Sequence, residues 1–234
     1  MYYGALFGPE HIGYLILNVI AFYFGLKYIK NYDKAFKILA ILQLISIIVC
    51  RVTWTIRCIY IVPVEGFNWW GLIPTTVCGM NSVILPLCIL FGKKNNVLLH
   101  YLVYSCILFS LITLIYPSFI TEEYLLEPDV VSSMLHHSFG MFLSMLLIKS
   151  KYFIPDIKKW WVYPVSYIIY MGIGWIEVYV FGLPEGMNIT YPLFSVLPNI
   201  TSWWGIGILG TIYVVIFISI YNLITNKKDK KPTK

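Results

Sequence analysis

Polar side chains recur within a hydrophobic segment, residues 72–86, at the spacing of one helix face. They stand at intervals of three, three and one positions: Thr75, Cys78, Asn81 and Ser82. A helix places side chains with this spacing on one side, and a polar face has no use against lipid. We therefore expect this face to point into a helix bundle, with the thiol of Cys78 as the candidate nucleophile.

Two adjacent histidines lie in a second hydrophobic segment, residues 130–148. His136 belongs to a stripe of small and polar residues at every fourth position, together with Ser132, Gly140 and Ser144. Such a stripe favours close contact between helices, and His137 is rotated from it by about 100°. A buried imidazole can serve as a general base or only as a satisfied hydrogen-bonding group. The sequence leaves open which histidine faces inward.

Charged side chains inside hydrophobic segments form the third signal. Arg51 and Glu177 are the clearest cases, because a charge in hydrocarbon costs at least about 2.5–3.5 kcal/mol and usually faces a bundle interior. They could bind a polar headgroup, stabilise negative charge or form a structural ion pair. Arg57 stands near a segment end, where extension of its side chain to the interface is the favoured explanation. His11, next to Glu10, could cap the same cavity, although a role at the start of a helix is favoured.

Together these residues predict an acyl-transfer site. The thiolate of Cys78 would attack an acyl ester, and His136 or His137 would act as the base. The amide of Asn81 and the guanidinium of Arg51 are candidates for stabilising the oxyanion. We predict no metal site, because adjacent histidine rings point apart on a helix. We also predict no cofactor.

The composition indicates that these residues lie in a membrane. The chain is 59% hydrophobic and 12% charged, whereas soluble domains carry about 25% charged residues. About 20 apolar residues in a helix can cross a bilayer, and seven segments qualify: 11–28, 36–59, 70–91, 97–116, 130–148, 160–181 and 203–223. The predicted fold is an all-α membrane protein, with one seven-helix transmembrane domain over residues 1–225 and a basic tail at 226–234.

The placement of charge predicts the orientation. Every lysine falls between helices one and two, three and four, or five and six, or in the tail. The opposite loops carry only acidic charge: Glu65, Glu122, Glu123, Glu127, Asp129 and Glu185. By the positive-inside rule the N-terminus is outside and the C-terminus is cytoplasmic. The helix directions then place four candidate residues at one depth in the outer half of the bilayer: Arg51, Cys78, His136 and Glu177.

Four short motifs occur in a fixed order along nearly the whole chain: FGPEHI, PTTVCGMNSVILPLCILFGKKN, LIYPSF and SSMLHH. In this the chain resembles the YwaF/TMEM164-like family of integral membrane proteins. That family includes bacterial seven-helix proteins and a eukaryotic branch described as a cysteine-dependent acyltransferase acting on ether phospholipids. The resemblance implies Cys78 as the nucleophile, with His136, or His137 if the alignment shifts by one, as its partner. It also implies a bacterial plasma membrane.

The predicted function is acyl transfer or acyl-ester hydrolysis on phospholipid, at a cysteine–histidine site in the outer half of the bilayer. The alternative is a transporter or receptor-like protein that binds a small polar or lipid ligand in the same cavity. A structural membrane subunit is the third hypothesis. Membrane lipids are the predicted partners and nucleic acid is not, since the net charge of +6 follows the membrane topology. Assembly into a homo-oligomer is left open.

Overall fold

The computed structural model describes residues 6–65, 67–74, 76–117, 127–182 and 197–229, with side chains described as far as residue 225. All secondary structure in these ranges is helical, which confirms the all-α class. The long helices are α1 (Pro9–Tyr28), α2 (Tyr32–Ile56), α3 (Val77–Phe91), α4 (Leu99–Ile115), α5 (Pro128–Lys149), α6 (Val162–Tyr179) and α7 (Trp203–Asp229). The short elements are a π-helical turn (Arg57–Ile61), two 3-10 turns (Trp69–Leu72 and Ile157–Lys159) and a single α-turn (Pro198–Thr201).

Three of the described helices are long and apolar enough to cross a membrane: Tyr32–Ile61, Pro128–Lys149 and Trp203–Thr225. Helices α3 and α4 are apolar but shorter. Large aliphatic side chains cover the outside of the bundle. Leu17 and Val19 on α1 are 65% and 68% exposed, and Leu223 on α7 is 64% exposed. An apolar surface of this kind suits contact with lipid rather than with water.

Helix α5 lies at the centre of the bundle, in contact with α1, α2, α3 and α4. Its closest neighbour is α2. Gly140 allows the two helices to approach each other, because glycine has no side chain. A Cβ at this position would stand 2.7 Å from the amide nitrogen of Gln43, which is itself fully buried. Ser144, one turn further along α5, is also fully buried. The small-residue stripe that the sequence shows on this segment therefore lies inside the bundle, where it allows close helix contact.

A second close contact joins α6 and α7. Gly207 and Gly210 on α7 lie one turn apart and accommodate the rings of Tyr167 and Tyr163 on α6. The Tyr167 hydroxyl also donates a hydrogen bond of 3.0 Å to the carbonyl of Trp203. Glycine at these positions lets the two backbones approach across large aromatic side chains.

The third hydrophobic segment differs from its sequence-based boundaries. A continuous helix was expected over 70–91, whereas the structure has the 3-10 turn Trp69–Leu72, a non-helical connection and then α3. Pro74 disfavours helix for the residue before it. The hydroxyl of Thr76 then accepts a 3.0 Å hydrogen bond from the amide of Gly79, which caps the new helix. Thr75, expected on the polar face, lies outside the described residues.

The contact between α6 and α7 can be tested at Gly210. We expect Gly210→Ala to destabilise the protein by about 1–3 kcal/mol, because the added Cβ would meet the buried ring of Tyr163, with its Cε1 at 2.7 Å. Gly172→Ala is the matched control, since a Cβ there has no atom within 4 Å. Thermal unfolding in detergent compares the two variants. Equal losses of stability in the two variants would show that contact with Tyr163 is not the reason why residue 210 must be glycine.

Candidate functional site

A buried hydrogen bond joins the two polar faces that the sequence identifies. The Nδ1 atom of His136 on α5 lies 2.9 Å from the Oγ atom of Ser82 on α3. Both side chains are almost fully buried. A hydroxyl can donate to or accept from an imidazole nitrogen, so the bond can form with either tautomer of the ring. The structure therefore brings a base candidate against the helix that carries Cys78.

His137 has a different environment. Its Nδ1 atom lies 2.7 Å from the carbonyl oxygen of Ser133, one turn earlier in α5. Because a carbonyl oxygen only accepts, Nδ1 of His137 is the donor, and in the neutral ring Nε2 is left as an acceptor. The rings of His136 and His137 are 4.0 Å apart between centroids, so they do not point apart as was expected for adjacent residues on a helix. Of the two histidines, His136 is the one that bonds to α3.

In the part of the chain that the structure describes, no three His, Cys, Asp or Glu side chains converge on a possible metal position.

Cys78 lies in the first turn of α3, one turn before Ser82 on the same face. Its Sγ atom is 3.9 Å from the Oγ1 atom of Thr113 on α4, which is a long contact even for sulfur. Among the described residues no hydrogen bond connects Cys78 with His136. The two predicted partners thus share one face of α3, with Ser82 bonded to the histidine and one helical turn away from the thiol.

Asn81 points from the same helix toward α4. Its Nδ2 atom donates to the hydroxyl of Ser105 at 2.5 Å, while its buried Oδ1 has no partner within the described ranges. Sequence analysis missed Ser105 and Thr113, although both lie on α4 together with His100 and Ser110. Their intervals of five, five and three positions do not follow one helix face, so the pattern carries no signal of the direction that each side chain faces.

Arg51 and Glu177 lie at the edge of this polar layer. Arg51 donates a hydrogen bond from Nη2 to the carbonyl oxygen of Gly71, in the 3-10 turn before α3. In the same region Trp70 stacks on Phe181, with the ring centroids 4.7 Å apart. Glu177 is only 2% exposed, and neither carboxylate oxygen has a hydrogen-bond partner in the described structure. The carboxylate and Arg51 interact electrostatically without a direct bond.

The side chain of Arg57 forms ion pairs with two carboxylates. Its Nη1 atom lies 2.6 Å from Glu127 Oε2 and 3.3 Å from Asp129 Oδ2. These contacts connect the π-helical turn at the end of α2 to the beginning of α5. Arg57 was considered for binding or oxyanion stabilisation, with extension to the interface as the favoured explanation. The structure instead places its side chain in ion pairs between two helices.

His11 connects α1 to α4. Its Nε2 atom lies 2.8 Å from the carbonyl oxygen of Leu114, and its Nδ1 atom accepts from the amide of Phe7 at 3.1 Å. Since a carbonyl needs a donor and an amide needs an acceptor, this is the neutral ring with the proton on Nε2. Both ring nitrogens are occupied, so His11 stabilises the start of α1, which was the favoured explanation of its position.

The ion pairs of Arg57 can be tested with a double-mutant cycle. Arg57→Gln and Asp129→Asn should each destabilise the protein: the first leaves the largely buried Asp129 without its cation, and the second removes one of the two carboxylates of Arg57, which keeps Glu127. The double variant should be more stable than the sum of the single losses implies, with a coupling energy of about 1 kcal/mol or more. Unfolding in detergent gives the four free energies. Additive losses would contradict a direct interaction.

Comparison of the chain with protein family models finds no match, and comparisons with curated proteins and with solved structures find none either. The resemblance to the YwaF/TMEM164-like family therefore stays a prediction. The function has to be argued from the residues of the site and their geometry.

Proposed function

We propose that this chain is an integral membrane enzyme that transfers or hydrolyses acyl groups of phospholipids. The observation that carries the proposal is the 2.9 Å hydrogen bond between Ser82 and His136. It holds a buried imidazole against the face of α3 on which Cys78 lies, inside the bundle. A nucleophile with a positioned base nearby is what acyl transfer requires.

In the proposed reaction Ser82 relays a proton. His136 takes the hydroxyl proton of Ser82 while Ser82 takes the thiol proton of Cys78, which leaves a thiolate. The thiolate sulfur forms a bond to the acyl carbonyl carbon, and the ester C–O bond breaks. The proton on His136 returns to the leaving alkoxide through Ser82. Water or a lipid hydroxyl then attacks the thioester carbon and gives its proton to His136 through Ser82. The C–S bond breaks, the acyl group leaves as a carboxylic acid or a new ester, and the proton returns through Ser82 to the sulfur of Cys78.

Neighbouring polar groups suit the other needs of this reaction. Nδ2 of Asn81 is a buried donor one helical turn from Cys78, and it could stabilise the developing oxyanion by exchanging Ser105 for the substrate oxygen. Arg51 has a buried Nε atom with no partner among the described residues, and this donor could bind a headgroup phosphate. Glu177 lies within electrostatic reach of Arg51 and would favour a substrate with positive charge at that edge.

The proposal includes seven transmembrane helices in a bacterial plasma membrane, with the N-terminus outside and the C-terminus in the cytoplasm. The lysine distribution supports this orientation. The way in which the connections between helices group at the two ends of the bundle also supports it. Asn95, before α4, bonds to Tyr152, after α5, at one end of the bundle. Arg57 bonds to Glu127 at the other end, beside the acidic loops.

The enzymatic proposal predicts that purified protein reacts with a lipid-like acyl probe. Cys78→Ala should abolish labelling, and Ser82→Ala or His136→Ala should slow it by about 10²-fold or more, as loss of a base does. Cys88→Ala is the matched control, because this thiol lies at the other end of α3 and should not matter. Labelling and phospholipid turnover are measured together.

Other outcomes of this experiment contradict the assignment. Unchanged labelling in Cys78→Ala would exclude the cysteine, and loss of labelling in Ser82→Ala alone would make Ser82 the nucleophile. Lipid binding without labelling or turnover in the wild-type protein would favour the alternative, a transporter or receptor-like protein with a ligand in the same cavity.

The proposed orientation predicts the activity of reporter fusions in bacteria. Alkaline phosphatase fused after Val64 should be active, because that loop would lie outside, whereas a fusion at the C-terminus should be inactive. Green fluorescent protein at the C-terminus should fluoresce. Active phosphatase at the C-terminus would invert the topology and place the proposed site in the inner half of the bilayer.

A further inference from the structure

A cavity of about 550 Å³ opens where the N-terminus of α2 meets the connections before α4 and after α5. This volume is within the range of small-ligand sites. Six lining side chains define its chemistry: Lys30, Tyr32, Phe36, Lys94, Ser150 and Tyr152. Lys94 follows the end of α3, whereas Cys78 lies in its first turn. The cavity and the candidate active site are therefore at opposite ends of α3.

The aromatic side of the cavity is held in place by neighbouring contacts. Phe36 is buried, and the ring of Tyr152 meets it edge-on at 5.2 Å between centroids. The backbone of Tyr152 accepts a 3.1 Å hydrogen bond from the amide of Asn95. The side chain of Asn95 accepts in turn from the amide of Ile154 at 3.4 Å. Two connecting loops are thus joined into one wall.

The cationic side of the cavity comes from two lysines. The Nζ atom of Lys94 lies 5.8 Å from the ring centroid of Tyr152, at cation–π distance. Lys30 belongs to the turn before α2 and lines the same space. Neither ammonium group forms an ion pair with any carboxylate in the described part of the chain, so both charges remain available to a ligand.

One carboxylate, that of Asp33, also lines the cavity. It lies in the first turn of α2, a helix of 25 residues whose N-terminal end carries partial positive charge. Asn31 caps this end by accepting a 3.1 Å hydrogen bond from the amide of Lys34. The helix end offsets part of the charge of Asp33, and the two lysines leave the cavity positive.

We propose that this cavity binds a phosphate-bearing anion, supplied by the headgroup of an anionic phospholipid or by a soluble phosphate ester. Lys30 and Lys94 bind the phosphate oxygens, and the hydroxyl of Ser150 can add a donor by exchanging the carbonyl of Leu147, to which it donates at 3.1 Å, for a phosphate oxygen. The rings of Tyr32 and Tyr152 pack against the carbon atoms next to the phosphate. The lysines in the connections between α1 and α2, α3 and α4, and α5 and α6 lie toward this end, where anionic lipid would be attracted. The inference does not depend on acyl transfer at Cys78.

The test uses full-length protein in neutral detergent. Its unfolding midpoint is measured against increasing phosphatidylglycerol, phosphatidylcholine, glycerol 3-phosphate and inorganic phosphate. A ligand that binds the folded state raises the midpoint. We expect phosphatidylglycerol to raise it and phosphatidylcholine to have no effect. The double variant Lys30→Gln/Lys94→Gln should need about tenfold more ligand, as expected for two partly exposed charge contacts.

The matched control is Lys37→Gln/Lys158→Gln, which removes the same charge from exposed lysines at this end that do not line the cavity. It should respond like the wild-type protein. A shift with phosphatidylglycerol alone identifies a lipid headgroup as the source, and a shift with glycerol 3-phosphate as well identifies the soluble ester. Equal losses in both double variants, or no shift with any phosphate compound, would overturn the proposal.

Discussion

The close approach of α5 to α2 and α3 is the constraint on which the interior of this protein depends. Gly140 allows the approach to α2 by leaving space for the buried amide of Gln43. Because the backbones are near one another, His136 reaches Ser82 on the neighbouring helix instead of lipid. In an apolar surrounding a polar group without a partner is costly. The same approach therefore both packs the bundle and holds its central polar groups in position.

Local patterns in the sequence predict the parts of this arrangement that are periodic. The stripe containing His136 and the face containing Cys78 and Ser82 could be recognised because helical spacing is visible in one segment. Which neighbours those faces meet is a tertiary property. The contact of Thr113 with Cys78 comes from α4, whose polar residues do not follow one helix face, so the sequence does not identify it.

Helix starts and charge partners were harder to predict for different reasons. Pro74 and Thr76 do carry a signal for the start of α3, but the hydrophobicity of the whole segment favoured a longer helix. The partners of Arg57 depend on how the end of α2 approaches α5, and sequence distance gives no measure of that approach. Depth in the bilayer remains a prediction from the proposed topology, and contact between residues predicted at equal depth does not follow from it.

Cationic side chains at the two ends of the bundle differ in whether they are paired with carboxylates. At the end with Arg57, a cation is neutralised by the carboxylates of Glu127 and Asp129, which fixes two helices to one another. At the opposite end, Lys30 and Lys94 face a cavity and remain unneutralised within the described structure. The cation at one end is therefore paired within the protein, while the lysines at the other end have a positive field that acts on molecules outside the protein.

The shortness of α3 has a consequence for how Arg51 is interpreted. Its 15 residues cover about 22 Å at 1.5 Å per residue, less than the roughly 30 Å of a hydrocarbon core. Under the proposed seven-helix topology this segment needs further backbone to complete its crossing, and backbone outside an α-helix is tolerated in a membrane only where protein groups satisfy it. Arg51 does this for the carbonyl of Gly71. Under that proposal the side chain of Arg51 stands in for part of a missing turn of α-helix, so removing it would affect the insertion of this segment as well as the binding of any ligand.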